Sequence, residues 1–385
     1  MEIIPGKITA IVGGQFGSEA KGLAASYLAN LPDRPANIWC TTNAGAQAGH
    51  TTEKEDGTRF VCYHLPTTGV LMGDARIYIN AGAIIDVDLL AREIEAVSQV
   101  IGVSYESIAN RVSVNPNAAV ITADCVQTEA SSTGTTHIAS TGKGVGAALS
   151  RKIMRQPGAT VGTLPHEQRL SGMLSKARCR IARYDLPYFM ESGRAVIMEV
   201  PQGTGLSINN SDAYPHVTSR DCWVGQGLTD AGVHPHYLGN TMMVCRAFPI
   251  RVGHVYDDLG GMKGHSGPFA PGSEELSWDE HFQGFRPERT TVTQRVRRIA
   301  TWSRLQYRRS LALNRPHTVM LTFVNYLNDP VALRDHIDLM RHDEKGLNLK
   351  VHHLYSWGPR ASQVSPSFQV AAFHTRDFKG LQETV

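Results

Sequence analysis

Several hallmarks of membrane, secreted and nucleic-acid-binding proteins are missing from this sequence. No apolar run approaches the roughly 20 residues that a membrane-spanning helix needs, and the opening residues, MEIIPGKITAIVGG, lack the basic segment and long apolar stretch of a signal peptide. The 38 Lys and Arg nearly balance the 35 Asp and Glu, which leaves a net charge of +3 over 385 residues. This charge is too small to predict a nucleic-acid or membrane partner, but it leaves open a local site for a phosphorylated small molecule.

Cysteine pairs that could bind zinc or form a disulfide framework are also lacking. The six cysteines lie far apart in the sequence, and no C-x-x-C pair occurs. We therefore expect neither a zinc site nor disulfides, and a reducing, cytoplasmic environment. Glycine is the one residue type in excess, at 36 of 385 residues against a usual ~7%. This excess suggests several tight loops that come close to ligands.

Short apolar segments alternate with helical patterns along much of the chain. Residues 7–12 form a β-branched segment that predicts a buried strand, and a helix is predicted from Lys21, after a glycine-rich loop. Such alternation predicts an α/β fold with a mostly parallel central sheet flanked by helices, similar to P-loop NTPases. Without a repeat or low-complexity linker, residues 1–385 are expected to form a single domain with long active-site loops, and residues 260–275 the longest surface loop. Further strands are predicted at residues 37–40, 76–80, 195–199, 242–248 and 318–324, and further helices at 86–97 and 295–313.

The first loop that could carry chemistry is GGQFGSEAKG, residues 13–22. Glycines allow backbone N–H groups to converge on an anion, and Lys21 adds a positive charge at the start of the helix. The loop does not match the pattern G-x-x-x-x-G-K-[ST], because no Ser or Thr follows the lysine. It fits phosphate binding, and it also fits a tight turn that leaves the lysine in solvent.

Four further loops combine glycine with polar side chains. His50, framed by small residues, could act as a general acid, although a lone histidine is more often structural. The STGKGVG loop, residues 140–146, offers hydroxyls and glycine N–H groups that suit a monophosphate, or it is simply a flexible polar loop. EVPQGT and YPHVT, residues 199–204 and 214–218, follow a predicted strand. The arginines of TTVTQRVRR, residues 290–298, could bind a carboxylate substrate or lie on an ordinary charged helix face.

Taken together and in this order, the loops resemble those of adenylosuccinate synthetase. That family carries G-x-Q-W-G-D-E-G-K-G, G-H-N-A-G-H-T, T-T-G-R-G-I-G, E-G-A-Q-G-T, Y-P-Y-V-T, T-T-G-R-x-R-R, T-K-x-D and S-x-G-P. The counterparts here are GGQFGSEAKG, GAQAGHT, STGKGVG, EVPQGT, YPHVT, TVTQRVRR, TFVN and SWGP, from Ile8 to about Arg360. Eight ordered motifs are a specific signal. The resemblance implies a Mg²⁺-dependent ligase that forms a C–N bond between L-aspartate and a purine monophosphate, with a nucleoside triphosphate as phosphoryl donor.

The first departure from the family pattern concerns the purine. Ser18 stands where the family has a catalytic aspartate, which takes the N1 proton of inosine monophosphate (IMP) before O6 attacks the γ-phosphate of GTP. Serine is a poor base at neutral pH, but it leaves room for the 2-amino group of guanine. In this respect the chain resembles the phage members of the family, which act on dGMP in 2-aminoadenine (diaminopurine) synthesis. The expected product is N6-succino-2-amino-2′-deoxyadenylate.

The second departure concerns the phosphoryl donor. Asn325 replaces an aspartate that accepts both guanine N–H groups in members that use GTP, and Phe323 replaces a lysine. An amide cannot accept both hydrogen bonds. Loss of paired hydrogen bonds of this kind changes the discrimination between substrates on the order of 10⁴–10⁵-fold. We therefore expect ATP or dATP as donor. Two alternatives stay open: a conventional synthetase acting on IMP with GTP, and a catalytically inactive nucleotide-binding regulator.

The resemblance also implies roles for individual residues. Catalytic roles fall on Ser18, Lys21, His50 and Gln202. The dGMP set is Ser18, Gln47, Ser140, Thr141, Arg155, Gln202, Leu206, Thr218 and Arg295. The triphosphate set is Gly17, Glu19, Ala20, Lys21, Gly22, Gly49, His50, Thr51, Asn325, Ser356, Gly358 and Pro359. The aspartate set is Thr291, Thr293, Arg295 and Arg297, with the register of the two arginines uncertain by one residue. Ser18 and Gly49 match the metal contacts. Arg155 matches an arginine that the partner subunit supplies, so a homodimer with shared active sites is implied.

Overall fold

A ten-stranded sheet forms the centre of the fold in a computed structural model that describes residues 1–165, 177–290, 294–327 and 329–376. The strands of the described residues are, in chain order, β1 (Ile8–Gly13), β2 (Trp39–Thr42), β3 (His50–Glu53), β4 (Arg59–Cys62), β5 (Arg76–Ile79), β6 (Ile84–Ile85), β7 (Val112–Val114), β8 (Ala119–Val120), β9 (Arg180–Ile181), β10 (Val196–Glu199), β11 (Leu238–Arg246), β12 (Ile250–Arg251), β13 (Val255–Tyr256), β14 (Met262–Gly264), β15 (Glu275–Leu276), β16 (Arg298–Ala300), β17 (Thr318–Thr322), β18 (His352–Ser356) and β19 (Val364–Ser365). Their helices are α1 (Lys21–Ala29), α2 (Thr67–Leu71), α3 (Val87–Ile101), α4 (Tyr105–Ala109), α5 (Ala123–Ser131), α6 (Thr133–His137), α7 (Val145–Ile153), α8 (Leu186–Glu191), α9 (Val224–Ala231), α10 (Trp278–His281), α11 (Arg304–Asn314), α12 (Pro330–Gly346) and α13 (Phe368–Arg376).

The strand order across the large sheet is β19-β18-β17-β11-β1-β10-β2-β5-β7-β9. All neighbours in it run parallel except β18 and β19. The predicted α/β fold with a mostly parallel sheet is therefore confirmed. Because parallel strands end at the same edge, the loops after β1, β2, β10 and β17 meet there, which is where ligands bind in open α/β sheets.

Helices pack on both faces of the sheet, and alternate residues of β1 contact opposite sides. Val12 belongs to a buried cluster with Leu311 of α11 and Leu333 of α12. Ile11 points the other way and shares a cluster with Leu23 of α1. All six residues of β1 are buried, as expected for a central parallel strand covered on both faces. None of the described helices has the length and apolar character needed to cross a membrane.

Most predicted strands lie within a few residues of the observed ones, but the helix predicted at residues 295–313 is wrong in its first part. Residues 298–300 form β16, which pairs with β12 and β15 and buries Ile299 completely. The helix starts only at Arg304, where the Ser303 hydroxyl accepts a hydrogen bond from the Gln306 N–H at 3.2 Å. The predicted loop at 260–275 also contains β14, which forms a hairpin with β13.

Candidate active site

The loops after β1 and β10 touch each other at the carboxyl edge of the sheet, and two glycines make this possible. A Cβ atom on Gly13 would lie 2.5 Å from the carbonyl oxygen of Gln202. A Cβ on Gly203 would lie 2.6 Å from the backbone nitrogen of Gly17. The sequence motifs GGQFGSEAKG and EVPQGT thus come into direct contact, which places Gln202 beside the first loop.

Glu19 and Lys21 form a buried ion pair inside the first loop. Glu19 accepts hydrogen bonds from the backbone N–H groups of Gln15 at 3.0 Å and Gly17 at 2.7 Å. The Nζ of Lys21 lies 3.1 Å from the Glu19 carboxylate and 3.2 Å from the Gly17 carbonyl. Only 3% of Lys21 is exposed, so the alternative of a solvated lysine is excluded. The lysine is held at the start of α1, where the helix dipole also favours an anion.

Ser18 is held by arginines from two other elements. Arg297 donates a hydrogen bond to the Ser18 hydroxyl, and Arg246 donates to the Ser18 carbonyl at 3.2 Å. Arg246 is 1% exposed and donates to both oxygens of Glu288, at 2.5 and 3.2 Å. Burial alone would raise the pKa of Glu288. The charge and hydrogen bonds of Arg246 outweigh this effect and hold the pKa of that carboxyl below its usual value. Burial lowers the pKa of Arg297, against the opposing charge of Glu288.

His50 opens β3, next to the end of β10. Its Nδ1 lies 3.6 Å from Oε2 of Glu199, a separation longer than a hydrogen bond. The other carboxylate oxygen of Glu199 accepts hydrogen bonds from the Thr68 N–H and hydroxyl, both at 2.7 Å. Oε2 is buried and has no hydrogen-bond partner in the described part of the chain. Glu199 therefore faces Nδ1 of the imidazole without a hydrogen bond to it.

The start of α1 packs directly against β3. A Cβ on Gly22 would lie 2.1 Å from the Thr51 carbonyl, and the Thr52 hydroxyl donates to the Gly22 carbonyl at 3.2 Å. This contact needs glycine at position 22. It brings the segments that carry Lys21 and His50 side by side, with Gly49 and Thr51 on either side of the histidine and Ala20 in the left-handed conformation before the helix.

Glu129 of α5 anchors the STGKGVG loop through hydrogen bonds to two of its glycines. One carboxylate oxygen of Glu129 accepts the Gly144 N–H at 2.7 Å, and the other accepts the Gly146 N–H at 2.7 Å. The expectation that the glycine N–H groups of this loop bind a phosphate is therefore wrong for these two glycines, because a carboxylate already fills the amino end of α7. The hydroxyls of Ser140 and Thr141 stay predicted phosphate ligands, and the Ser140 hydroxyl accepts the Gly142 N–H at 3.3 Å.

The remaining residues predicted for the purine nucleotide lie on three neighbouring loops. The Gln202 side-chain oxygen accepts a hydrogen bond from Cys222 Sγ at 3.2 Å, and the Leu206 carbonyl accepts the Thr218 N–H at 2.9 Å. Arg295 donates to the carbonyl of Ala139, the residue before Ser140, at 3.3 Å. Burial lowers the pKa of this arginine. The carbonyl oxygen of the Gln47 amide is buried without a hydrogen-bond partner among the described residues.

The residues predicted for the triphosphate base follow β17 and β18. The Thr322 hydroxyl at the end of β17 donates to the Glu19 carbonyl at 3.0 Å, which joins this strand to the first loop. Asn325 lies just after the strand in a short 3₁₀ turn. The Ser356 hydroxyl donates to the Gly358 carbonyl at 2.7 Å and closes the turn before Pro359.

Two predicted residues, Thr291 and Thr293, lie outside the described residues. A third, Arg155, is exposed and follows α7 with a positive φ of 56°. Its predicted role depends on a partner subunit.

Four acidic or basic residues of the site received no role from the sequence. Arg246 and Glu288 form the pair behind Ser18, Glu199 faces His50, and Glu129 anchors the STGKGVG loop. Arg246 and Glu199 are each the last residue of a strand whose immediately preceding residues are apolar, and a charge at the end of such a buried strand indicates a buried partner. No comparable local signal marks Glu129 or Glu288.

A magnesium ion could find few protein ligands here. No group of three or more His, Cys, Asp or Glu side chains that could hold a metal occurs in residues 1–165, 177–290, 294–327 and 329–376. The Ser18 hydroxyl already accepts a hydrogen bond from the cationic Arg297, so it does not fit a metal ligand. The backbone carbonyl of Gly49 is a hard oxygen donor of the kind that Mg²⁺ prefers. A site with one protein oxygen fits Mg²⁺ because that ion is commonly held chiefly by substrate phosphates and water.

Comparison with known proteins places this arrangement in context. The family model described as adenylosuccinate synthetase matches residues 10–185 and 183–334. The N6-succino-2-amino-2′-deoxyadenylate synthase of Salmonella phage PMBT28 is 32% identical over 370 residues, covering 93% of this chain and 97% of the relative. The structure of the cyanophage S-2L succinoaminodeoxyadenylate synthetase bound to dGMP and dATP superposes with a TM-score of 0.79 at 29% identity, covering 96% of this chain and 99% of that one. Adenylosuccinate synthetase of Plasmodium falciparum shares the fold, with a TM-score of 0.70 at 20% identity over 93% of this chain and 99% of that one.

Proposed function

This chain belongs to the adenylosuccinate synthetase family, and we propose that it joins L-aspartate to dGMP with ATP or dATP as phosphoryl donor. The products are N6-succino-2-amino-2′-deoxyadenylate, phosphate and ADP or dADP. The proposal fits the names of the phage relatives and the dGMP and dATP bound to the cyanophage enzyme. The substrates are small and soluble, so we place the reaction in the cytoplasm, that of the host if the protein is phage-encoded, without nucleic-acid or membrane partners.

One observation carries the choice of dGMP over IMP. Position 18 holds an uncharged serine, and its hydroxyl is bound by Arg297. An aspartate at this position would be larger and would carry a charge beside the purine N1. The serine leaves space for the exocyclic 2-amino group, which guanine has and hypoxanthine lacks. Loss of the carboxylate also removes the usual base, so proton removal from N1 depends on the more positive surroundings.

The first step transfers the γ-phosphoryl group to O6 of guanine. The O6–P bond forms, the bond to the β-phosphate oxygen breaks, and the N1 proton passes to water. Lys21 supplies positive charge where the transferring group gathers negative charge, and His50, whose Nδ1 faces the Glu199 carboxylate at 3.6 Å, donates a hydrogen bond to O6. Gln202, beside the first loop, orients the base.

The second step displaces phosphate from C6. The amine of L-aspartate forms a bond to C6, loses a proton, and the C6–O6 bond breaks with release of phosphate. Arg295 and Arg297 bind the aspartate carboxylates, since guanidinium groups pair well with carboxylates. Arg297 thereby contacts both the aspartate and Ser18, which aligns the amine with the purine.

Mg²⁺ is proposed as the metal, held by the Gly49 carbonyl together with triphosphate oxygens and water. When bound, it would neutralise charge on the triphosphate and on the developing transition state. Ser18, although it matches a family metal contact in sequence, is left out of this ligand set because Arg297 occupies its hydroxyl.

A homodimer with shared active sites completes the proposal. Ile153 and Met154 are 66% and 68% exposed and precede Arg155, so a second copy could cover them while Arg155 reaches its 5′-phosphate. Mixing two inactive variants, Lys21→Ala and Arg155→Ala, tests this arrangement. Shared sites predict that activity returns on mixing, because one site of the mixed dimer is intact. If no activity returns although mixed dimers form, Arg155 does not act across the interface.

A paired turnover assay tests the proposed reaction. One arm contains dGMP, ATP or dATP, L-aspartate and Mg²⁺, and the other contains IMP, GTP, L-aspartate and Mg²⁺. We expect phosphate and succinyl product only in the first arm. Turnover confined to the second arm would make the protein a conventional synthetase, and no turnover in either arm would favour a binding or regulatory role.

A further inference from the structure

A basic cavity lies at the edge of the sheet opposite the active site. It has a volume of about 210 Å³, and four of the residues that line it are arginines: Arg76, Arg111, Arg180 and Arg194. Trp39 and Ser113 also line it, whereas no Asp or Glu does. Four guanidinium groups around one opening repel one another unless an anion lies between them.

The register of the sheet explains why these residues converge. Arg76 pairs with Trp39 across the β2–β5 ladder, and Arg180 pairs with Ser113 across the β7–β9 ladder. Arg111 immediately precedes β7, beside the start of β5. Neighbouring residues in parallel strands point to the same face, so the side chains gather at the amino ends of adjacent strands. The convergence is therefore built into the sheet and does not depend on a loop.

The arginines are not neutralised within the described part of the protein. Arg76, Arg180 and Arg194 form no ion pair with any described residue, although Arg194 stacks over the Phe189 ring at 5.3 Å. Trp39, in turn, is stacked against Phe189, with ring centroids 4.4 Å apart. The carboxylate of Asp74 acts electrostatically on Arg111, but it is paired with Arg34.

Arg111 forms a rigid wall of the cavity. Its Nη1 donates to the carbonyl oxygens of Gly69, Met72 and Ala75 at 2.7, 2.9 and 3.1 Å, and its Nε donates to Ser107 at 2.8 Å. The Nη2 group has no hydrogen-bond partner in the described part of the chain. Burial lowers the pKa of Arg111, and the charge of Arg76 adds to this effect. A bound anion would relieve that cost.

We propose that this cavity is a second anion site that binds a multiply charged phosphate group. A guanidinium cluster with a hydroxyl from Ser113 suits phosphate oxygens, which accept several hydrogen bonds at once. The volume is below the ~300 Å³ of the smallest pockets for drug-sized ligands, so it fits inorganic phosphate, pyrophosphate or the phosphoryl chain of a nucleotide. Phosphate is also a product of the proposed reaction, but the cavity does not depend on that assignment.

The site is distinct from the catalytic edge. Trp39 begins β2, and the loop with Gln47 and His50 starts after Thr42, at the other end of that strand. Trp39 and Thr42 are three residues apart in the strand, which separates the two ends by roughly 10 Å. A ligand in the cavity would therefore bind without displacing substrate, and it would contact strands that lead directly to the active-site loops.

Calorimetric titration of the full chain tests the proposal. Inorganic phosphate, pyrophosphate, dATP and a short DNA duplex are titrated separately, at constant ionic strength, into the wild type, the Lys21→Ala variant, the double variant Arg76→Gln/Arg180→Gln and the triple variant that combines these changes. The matched control is Arg92→Gln/Arg183→Gln, which removes two exposed arginines outside the cavity. Thermal unfolding of each variant shows that it is folded.

We expect pyrophosphate to bind the control variant as it binds the wild type, and to bind the triple variant at least tenfold more weakly than Lys21→Ala, in which the active-site lysine is absent and the cavity is intact. dATP binding to Lys21→Ala that depends on the cavity arginines would identify a nucleotide as the source of the phosphoryl group, and its absence would identify the free anion. Equal pyrophosphate binding by the cavity variant and the wild type would overturn the proposal. It would also be overturned if only duplex DNA, and neither phosphate anion, bound through these arginines. The turnover assay above is independent of either outcome.

Discussion

The guanidinium of Arg297 donates a hydrogen bond to the hydroxyl of Ser18, across 279 positions of the sequence. The arginine belongs to the segment proposed to bind aspartate, and the serine to the loop proposed to contact the purine. The two halves of the reaction are thus joined by one side-chain contact. Changes at position 18 should therefore affect purine choice and, through Arg297, the use of aspartate.

The Ser18→Asp variant should reverse the purine preference. The added carboxylate fills the space proposed for the 2-amino group and restores a base for N1 of IMP. We expect kcat/KM for dGMP to fall by ~10–200-fold, which is the change in discrimination that one small group added to or removed from a substrate pocket causes. Activity on IMP should appear. Ser18→Ala is the control, because it keeps the space and should keep the preference for dGMP. A dGMP-to-IMP ratio that stays constant in both variants would contradict the role given to Ser18.

Asn325→Asp should shift the donor from ATP towards GTP. The new carboxylate can accept both guanine N–H groups, which the amide cannot. In steady-state kinetics with each donor, the ratio of kcat/KM for GTP to kcat/KM for ATP should rise at least tenfold. This is a small part of the ~10⁴–10⁵-fold discrimination that hydrogen-bonding sites reach. Asn348→Asp, at an exposed position with a positive φ of 52°, serves as the control. An unchanged ratio would mean that Asn325 does not face the base.

Glu199→Gln should lower kcat with little change in the KM for dGMP. The amide keeps the shape of the carboxylate and can still accept hydrogen bonds from Thr68, but it no longer places a negative charge 3.6 Å from His50. We expect kcat to fall by about tenfold or more. This is a part of the ~10²–10⁴-fold rate increase that general acid catalysis contributes. The pH–rate profile should change with it, which a purely structural role would not cause. Thr68→Val, which removes only a hydroxyl, should leave that profile in place.

Arg246→Met should destabilise the fold. The substitution leaves Glu288 without its partner, and removal of one member of a buried ion pair costs ~3–5 kcal/mol. Because 22% of the Glu288 side chain is exposed, we expect the lower end of this range in denaturant unfolding. The double variant Arg246→Met/Glu288→Gln should recover part of the loss, since the unpaired carboxylate is gone, although Arg297 loses the nearby charge of Glu288. A single variant as stable as the wild type would show that the pair contributes little.

His336 should make stability depend on pH in the acid range. Burial in α12 beside Trp302 lowers its pKa from 6.5 to about 4, and its Nε2 has no hydrogen-bond partner among the described residues. The unfolded chain therefore binds this proton more readily than the folded chain. The stabilisation is complete above pH 6.5 and is lost as pH falls to about 4, by about 3 kcal/mol in total.

His336→Leu should flatten that part of the stability curve. Unfolding in denaturant between pH 7 and 4 measures the effect, with exposed His281→Leu as the control. In the His336 variant, the difference in bound protons between the unfolded and folded states should fall by about one. The control variant should keep the slope of the wild type. Equal slopes for the wild type and His336→Leu would contradict the assignment.

The sequence was sufficient to predict the mostly parallel sheet. Strands such as β1 and β17 are largely apolar and rich in β-branched residues, a pattern typical of strands covered on both faces. The loops after them were grouped by their resemblance to the family motifs. The wrong start of the helix near Arg295 has a local cause: Arg295 and Arg298 are three residues apart, which fits a charged helix face when the pairing of 298–300 in a sheet is unknown.

Long-range partners could not be predicted in the same way. Glu288 lies 42 residues from Arg246, and Glu129 reaches Gly144 across 15 residues of irregular and helical chain. Neither pairing follows a local period, so only the three-dimensional arrangement shows it. Glu129 in particular overturns an interpretation that the glycine pattern alone supported.

That Glu129 contact also determines the state of the loop before any ligand arrives. Its carboxylate holds the backbone N–H groups of Gly144 and Gly146, so the protein itself orders this end of the loop. For the nucleotide proposed to bind at Ser140 and Thr141, less chain entropy is then lost on binding than if the whole loop had to order around the phosphate.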